Sequence, residues 1–377
     1  MRKRLSKIAI PARAENLFQN KYTISLFSVF LFIFCYPGQV FAQNAADSTL
    51  KSMPAFEYIA KVDTIISLKL NENTEFEQFV QTVNDVTYDI RPNITLGTKI
   101  SFSYRFISFG IGFKPKFIPG NNDNDMQGKT KAISFGTNII TSHLMQELQF
   151  AYIKGFYLHN TGDFIPDWQE GTDPYLQLPD NKYAIIRGST GYKINENYSV
   201  KSISSKTEIQ LKSCGSLIPV LAYDYYELDN KSDDPSQTSS QFSSNFDMIA
   251  SLGYMYTFVI RSKFYVSAGL FGGAGFHHTK LLTRLPAEEL EDKYTNPLFR
   301  MQERIGFGYN SRKFFGGAEI FSSQSSHSES DNIVQIQTAR TSFQVFVGYR
   351  FNAPKFLKHE TDVVKSIVPV PVQKIIE

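Results

Sequence analysis

A lipid-cleaving site at a membrane surface would need a base, a nucleophile and an orienting acid or amide within hydrogen-bond reach of one another. The chain offers one pair to weigh for the base, His277 and His278. His278 falls on the apolar face of an alternating segment, where a lipid substrate would sit, and is the candidate base; His277 falls on the opposite face. No serine stands out at that level on the neighbouring segments, so the simpler reading is two residues at a strand end. His143, His159, His327 and His359 form no HExxH or other local metal spacing. Asp123-Asn124-Asp125-Met126-Gln127-Gly128 opens like a calcium loop, but Ser134 stands at the twelfth position, where a bidentate glutamate belongs. Asp163, Asp167, Glu170 and Asp173 around Trp168 make an acidic stretch that reads first as a solvated loop. Leu270-Phe271-Gly272-Gly273-Ala274-Gly275 is followed by neither Lys-Ser/Thr nor a helix, so it is no phosphate loop. Its glycines let a crowded strand bend. These patterns predict no catalytic group, no metal and no other cofactor.

The elements that would position such residues begin after an address. Arg2, Lys3, Arg4, Lys7, Arg13 and Lys21 form a basic region, Tyr22 to Tyr36 an apolar one, and Val40-Phe41-Ala42 a small-residue cleavage site. This is the layout of a secretory signal cleaved after Ala42, and the apolar stretch is short for a membrane anchor. Cys35 stands between Phe34 and Tyr36, which does not suit lipidation. Cys214 alone survives maturation, so no internal disulfide forms. Without the leader the chain keeps 33 basic and 35 acidic residues, a net charge of about −2. The basic balance of the whole chain therefore argues for no nucleic-acid partner.

The mature chain then alternates with a period of two, again and again. Ile100, Phe102 and Tyr104 oppose Lys99, Ser101 and Ser103; Phe343, Val345, Val347, Tyr349 and Phe351 oppose Ser342, Gln344, Gly348 and Arg350. Successive strand side chains point to opposite faces, so each segment has one apolar and one small or polar face. A sandwich or a membrane barrel would both show this. Long strands, small residues beside charges on the polar face, and 33 Phe with 20 Tyr clustering near strand ends favour the barrel. Lys154 breaks the pattern, falling on the face of Phe150, Tyr152 and Phe156, and calls for a bulge or an end position.

Short breaks near 107–108, 142–143, 195–197, 261–263 and 310–312 alternate with long polar ones near 118–129, 159–181, 228–244, 280–296 and 325–335. The alternation is strict if 198–227 is one long strand bulged at Ser213-Cys214-Gly215-Ser216. Short periplasmic turns and long outer loops are the habit of bacterial barrels. The expected fold is thus all-β, an antiparallel transmembrane β-barrel of 12 strands, within a range of 10–14. Its first strand lies around Val62 to Leu70, with Glu75 to Asp89 as the rival. The expected organisation is a signal peptide over 1–42, a periplasmic segment over 43–61, the barrel over 62–351 and a periplasmic tail over 352–377.

Arg91-Pro92-Asn93 with Leu96-Gly97, Ser101-Phe102-Ser103-Tyr104 and Ser108-Phe109-Gly110-Ile111-Gly112 open the strand array; Phe346-Val347-Gly348-Tyr349-Arg350-Phe351 closes it. This pattern resembles the Bacteroidota family called domain of unknown function 4421, exported proteins regarded as outer-membrane barrels. The resemblance covers about 60–355 and implies a fold and a place, with no activity and no site residues. Phe351 resembles the terminal aromatic by which the barrel-assembly machinery recognises a last strand, although 26 residues follow it. In those, the prolines of Val368-Pro369-Val370-Pro371-Val372 preclude a regular helix; the simpler reading is a disordered periplasmic tail, and the functional one a short contact with a periplasmic partner.

Parity places Lys99, Arg187, Lys206, Lys212, Arg304 and Arg350 in the lumen, with Arg105, Lys114 and Lys193, against Glu208 and Glu319. Such a surplus would serve a narrow anion path or an acidic ligand. The expectation is a non-catalytic barrel of the Gram-negative outer membrane, acting in transport, binding or envelope structure and surrounded by lipid and lipopolysaccharide. The alternatives are a barrel-embedded lipid hydrolase built on His278 and a soluble periplasmic β protein.

Overall fold

The computed structural model describes residues 57–62, 65–74, 79–83, 86–230, 239–329 and 334–354. The expected leader with its cleavage site after Ala42, and the tail from 355 onward, lie outside the described residues. Sixteen strands follow one another: β1 (Ile59–Lys61), β2 (Ile65–Asn73), β3 (Phe79–Val83), β4 (Val86–Arg91), β5 (Gly97–Tyr104), β6 (Ile107–Phe113), β7 (Lys131–Ile140), β8 (Leu144–Leu158), β9 (Leu176–Tyr192), β10 (Glu208–Gln210), β11 (Cys214–Asp229), β12 (Ser240–Ile260), β13 (Phe264–Arg284), β14 (Glu289–Asn310), β15 (Phe314–Glu329) and β16 (Val334–Asn352).

Twelve of them, β2, β5 to β9 and β11 to β16, close an antiparallel barrel, sealed where Gln344–Asn352 of β16 pair with Asn73–Ile65 of β2. The count matches the expected twelve, and the favoured first strand is the one in the barrel. Alternation decides which face each residue takes. In β16, Val345 and Val347 are 47% and 62% exposed, while Phe346 between them is 2% exposed. Phe109, Ile111, Ile133, Phe135, Phe299 and Phe307 project outward in the same way. A solvent-facing belt of this kind would be an aggregation surface in water and is at home in lipid. At the short-turn end, Phe264 against Tyr309 and Phe314 against Tyr349 form aromatic pairs, with ring centroids 5.3 and 4.9 Å apart. Tyr104 differs from its expected lipid-facing place: Ile66 and Ala353 cover it.

Lys154 is accommodated by a bulge. The β8–β9 register shifts between Lys154 and Phe156, Gly155 takes φ 90°, and Lys154 Nζ lies 3.3 Å from Asp180. A side chain at Gly155 would run into the Lys129 carbonyl, so both the conformation and the close approach require glycine.

The long connections gather at one end and the tight turns at the other. Two expected loops, 280–296 and 325–335, are largely strand, however, the second because β15 runs to Glu329 and β16 begins at Val334. β13 and β14 stay paired up to Arg284 and Glu289, so the expected loop at 280–296 shrinks to 285–288 at the tip of a long hairpin. The rival first strand forms the β3–β4 hairpin. It pairs with the upper half of β16 on one side and with the end of β8 on the other, and so continues the wall above the short strands β2, β5, β6 and β7.

A further correction concerns 198–227, which is not one bulged strand. β9 ends at Tyr192 and β11 begins at Cys214; between them, 193–213 folds inward, and β10 within it pairs with β1. The turn expected at Asn195–Asn197 is the first bend of this inserted segment.

Candidate functional site

The inserted segment crosses the lumen. It leaves from β9 and returns to β11, which neighbour each other, and its far point lies against β16 and β2, which stand opposite in the ring of twelve. There the Lys206 carbonyl accepts from Ser67 Oγ at 3.0 Å and from Arg350 Nε at 2.8 Å, and Lys69 Nζ donates to Ser204 O at 3.3 Å. The Lys206 ammonium donates to Tyr265 Oη at 2.7 Å and lies 3.9 Å from Glu319. Asn310 Nδ2 donates to the Ser202 and Glu208 carbonyls at 3.3 and 3.4 Å. On the near side, Tyr198 and Val200 pack on Ile218 and Met255.

Serines shape the segment locally. Ser202 N donates to Ser199 Oγ at 3.0 Å, Ser202 Oγ to Ser199 O at 2.8 Å, and Lys206 takes a left-handed φ of 59°. Such side-chain bonds offer the backbone an alternative to the ladder. Ser199 Oγ and Lys201 also hold Glu208, at 2.6 and 3.3 Å. In this connection, outside the spanning strands, burial draws the Lys206 ammonium down to about 7, opposed by Glu319 and aided by Lys69 and Arg350. Burial likewise pushes the Tyr198 hydroxyl up to about 12.

Above the plug, towards the long-loop end, the lumen holds a cavity of about 280 Å³. One wall is apolar: Phe79 and Ile90 from the β3–β4 hairpin, with Phe156, Tyr183, Ile185 and Leu228. The other is a row of charge. Arg187, Asp224, Asp247 and His277 are direct cross-strand neighbours on β9, β11, β12 and β13. Two carboxylates facing each other across a ladder repel. Arg300, from β14, resolves the conflict: its Nη2 lies 3.0 Å from Asp224 Oδ2 and 3.3 Å from Asp247 Oδ2, and its Nε donates to Ser325 Oγ at 3.0 Å. Arg187 Nε stands 3.5 Å from Asp224 Oδ1. His277 Nδ1 is 2.6 Å from Asp247 Oδ1 and its Nε2 2.6 Å from Thr279 Oγ1, which donates to Asn245 Oδ1 at 2.8 Å. Both ring nitrogens of His277 are therefore occupied, and the imidazole braces the row.

The expected lumen bases fare differently. Lys99, on β5, lies along Gly110 and Gly136 inside the barrel. Arg187 belongs to the cavity row, and Arg304 sits over the Phe321 ring at 5.4 Å. Arg350 is buried and clasps the plug. Lys206 is in the lumen but reaches it on the plug, not on a strand. Lys212 lies ahead of β11 with its ammonium 5.3 Å from the Tyr58 ring, rather than on a lumen-facing strand position. The expected nine-to-two excess of bases omits Asp224 and Asp247, which neutralise Arg187 and Arg300.

His278 is exposed on the outward face, its Nδ1 2.8 Å from Thr295 Oγ1; among the described residues neither serine nor carboxylate partners it. Ser134 lies within β7, so no calcium loop closes on Asp123. The acidic stretch around Trp168 satisfies itself, with Trp168 Nε1 donating to Pro174 O at 2.9 Å and Gln169 N to Asp173 Oδ2 at 2.9 Å. Among the described residues no three His, Cys, Asp or Glu side chains gather closely enough for a metal ion.

A closed antiparallel barrel with an apolar belt and a polar lumen is a transmembrane β-barrel protein. Residues 46–351 match the model of the family described as Domain of unknown function (DUF4421), and the chain belongs to that family. No curated protein matches the chain. Among solved structures, the outer-membrane protease OmpT of Escherichia coli is similar with a TM-score of 0.39 and 9% identity, over 78% of this chain and 98% of that one. The toluene transporter TodX of Pseudomonas putida is similar with a TM-score of 0.28 and 10% identity, over 82% and 92%. For Ail, the attachment invasion locus protein of Yersinia pestis, the values are 0.20 and 11%, over 77% and 99%. With TM-scores below 0.5, these likenesses say nothing about this chain's activity.

Proposed function

We propose that the protein, exported with its leader cleaved after Ala42, is a non-catalytic binding barrel of the Gram-negative outer membrane. Its cavity faces outward and its periplasmic end is shut. Lipid and lipopolysaccharide surround the belt, the barrel-assembly machinery inserts it, and the tail beyond 354 is available to a periplasmic contact. The observation that carries the reading is the plug, which spans the lumen from β9 and β11 to β16 and β2. No comparable support exists for lipid hydrolysis at His278, whose partner is a threonine.

Two measurements test this. The purified barrel in a planar bilayer is expected to insert without sustained conductance; a steady open channel would overturn the reading. Single cysteines in a Cys214→Ser background report orientation. Cysteine at Asn124 or Glu289 is expected to take an impermeant maleimide on intact cells, and cysteine at Ser262 or Ser311 only after the outer membrane is opened. The reverse pattern would put the cavity on the periplasmic side.

A further inference from the structure

The outer face of the barrel carries a row in which like charges meet. By register Lys131 of β7 stands opposite Lys154 of β8, and Lys154 opposite Lys182 of β9. Ile153 and Tyr183, beside Lys154 and Lys182, are buried on the lumen side, and Lys131 shares the face of the exposed Ile133 and Phe135. Alternation therefore turns the row outward; Lys182, at its end, also borders the cavity. Like charges directly opposite one another destabilise a ladder. One carboxylate answers the three ammoniums: Asp180 Oδ1 lies 3.3 Å from Lys154 Nζ. The next two along the face are engaged elsewhere. Asp229, across from Lys182, is 3.0 Å from Arg284, and Glu227, one row lower, accepts from Tyr225 Oη at 2.7 Å.

The height of the row narrows the partner. Two residues along each strand towards the short turns stand Ile133, Tyr152 and Ala184, and two further on stand Phe135, Phe150 and Ile186. Ile133 and Ile186 are 54% and 53% exposed. Each such step is about 7 Å, so the lysines sit at the upper border of the apolar belt, where lipid head groups meet acyl chains. A lysine that merely snorkels lays its stem on apolar surface and needs no neighbour in register. Three adjacent ones, two strand spacings or about 10 Å across, make a patch that a phosphate group neutralises. The strip of Ile133, Phe135, Phe150 and Ile186 directly below offers contact to the acyl chains of the same molecule.

We infer that the β7–β9 face binds the phosphorylated lipid anchor of lipopolysaccharide, its phosphate on Lys131, Lys154 and Lys182 and its acyl chains on the apolar strip below. This rests on the outward orientation of the long loops proposed above and names a site within the lipid that surrounds the belt. Native mass spectrometry of the folded barrel in nonionic detergent reads the bound lipid. The probes are diphosphoryl lipid A, the same lipid stripped of its phosphates, and inorganic phosphate. Diphosphoryl lipid A is expected to bind roughly tenfold or more tighter than the stripped lipid. The triple variant Lys131→Gln, Lys154→Gln, Lys182→Gln is expected to lose that advantage while the protein keeps its heat-modifiable migration. Lys280→Gln with Lys293→Gln, elsewhere on the outer face, is expected to change nothing, because Glu291 already bridges those two ammoniums at 3.0 and 2.7 Å. Equal binding of the two lipids, or lipid A binding unchanged in the folded triple variant, would overturn the inference. Displacement of the lipid by inorganic phosphate would mean a site for free anions and overturn the lipid source. Failed lipid binding with the expected maleimide pattern would sink this site alone; the reverse pattern would overturn both the site and the orientation, since the lysines would then meet the inner leaflet.

Discussion

Replacing residues 196–211 by a short Gly-Ser linker is expected to turn a silent barrel into one that conducts. Barrel width grows with strand number: about eight strands leave an interior that side chains fill, and about sixteen leave an aqueous channel. Twelve strands fall between, so here the lumen is closed by what is folded into it. The plug supplies that filling at the short-turn end. The linker has a modest task, since β9 and β11 are neighbours and the pairing of Gly191 with Val220 leaves only 214–219 of β11 to descend beside. Six residues of strand cover roughly 20 Å, so a linker of similar length reaches. The belt and the interstrand ladder are untouched, and the variant is expected to keep its heat-modifiable band. Its current should prefer anions, because removal of the plug bares Lys69, Lys99, Arg304 and Arg350 against Glu147 and Glu319. A folded variant that stays silent in the bilayer would mean that the plug does not close the lumen.

The parts that were legible in the sequence, and those that were not, divide along the membrane boundary. Inside the belt one face must be apolar, so alternation marks every spanning strand and singles out Lys154 as the exception, which the structure resolves by a bulge. Beyond the belt both faces of a strand are wet and the signal vanishes. Lys280 to Arg284 and Glu289 to Tyr294 therefore read as loop, although they are the paired tip of the β13–β14 hairpin. The plug misleads in the opposite sense. Val200, Ile203, Ile209 and Leu211 among serines imitate a strand, because a segment buried in a lumen also needs apolar contacts beside polar ones. The serines at 199, 202, 204 and 205 were the available warning, since their side chains favour turns. The charged row was beyond reach for another reason. Parity alone sends Asp224 and Asp247 inward, but that they face each other depends on the β11–β12 register across the long connection at 230–239. Arg300 joins them from two strands further round, which no local pattern encodes.

Arg350→Ala is expected to unseat the plug while the barrel still assembles. Arg350 is 2% exposed, and its guanidinium lies 4.7 Å from the centre of the Phe315 ring. It donates to the Lys206 carbonyl, to Ser67 Oγ at 3.3 Å, to Asn310 Oδ1 at 2.7 Å and to Ser311 O. Hydrogen bonds from a charged group contribute about 1.5–3 kcal/mol each, and alanine leaves Asn310 Oδ1 and Ser311 O without that donor and the Lys206 carbonyl with Ser67 Oγ alone. Part of that loss falls on Asn310 and Ser311, which belong to the β14–β15 end, and part on the Lys206 carbonyl, the plug's farthest anchor. The ladder of β16 with β15 and β2 is backbone and stays paired. Amide exchange across 198–210 is therefore expected to quicken by roughly tenfold or more while exchange in the barrel strands holds. Arg350→Lys separates charge from geometry: one ammonium replaces a planar fork that engages several acceptors at once, so it is expected to fall between wild type and alanine. Unchanged exchange over 198–210 in a folded Arg350→Ala barrel would mean that Ser67, Lys69, Tyr265 and Asn310 seat the plug without Arg350.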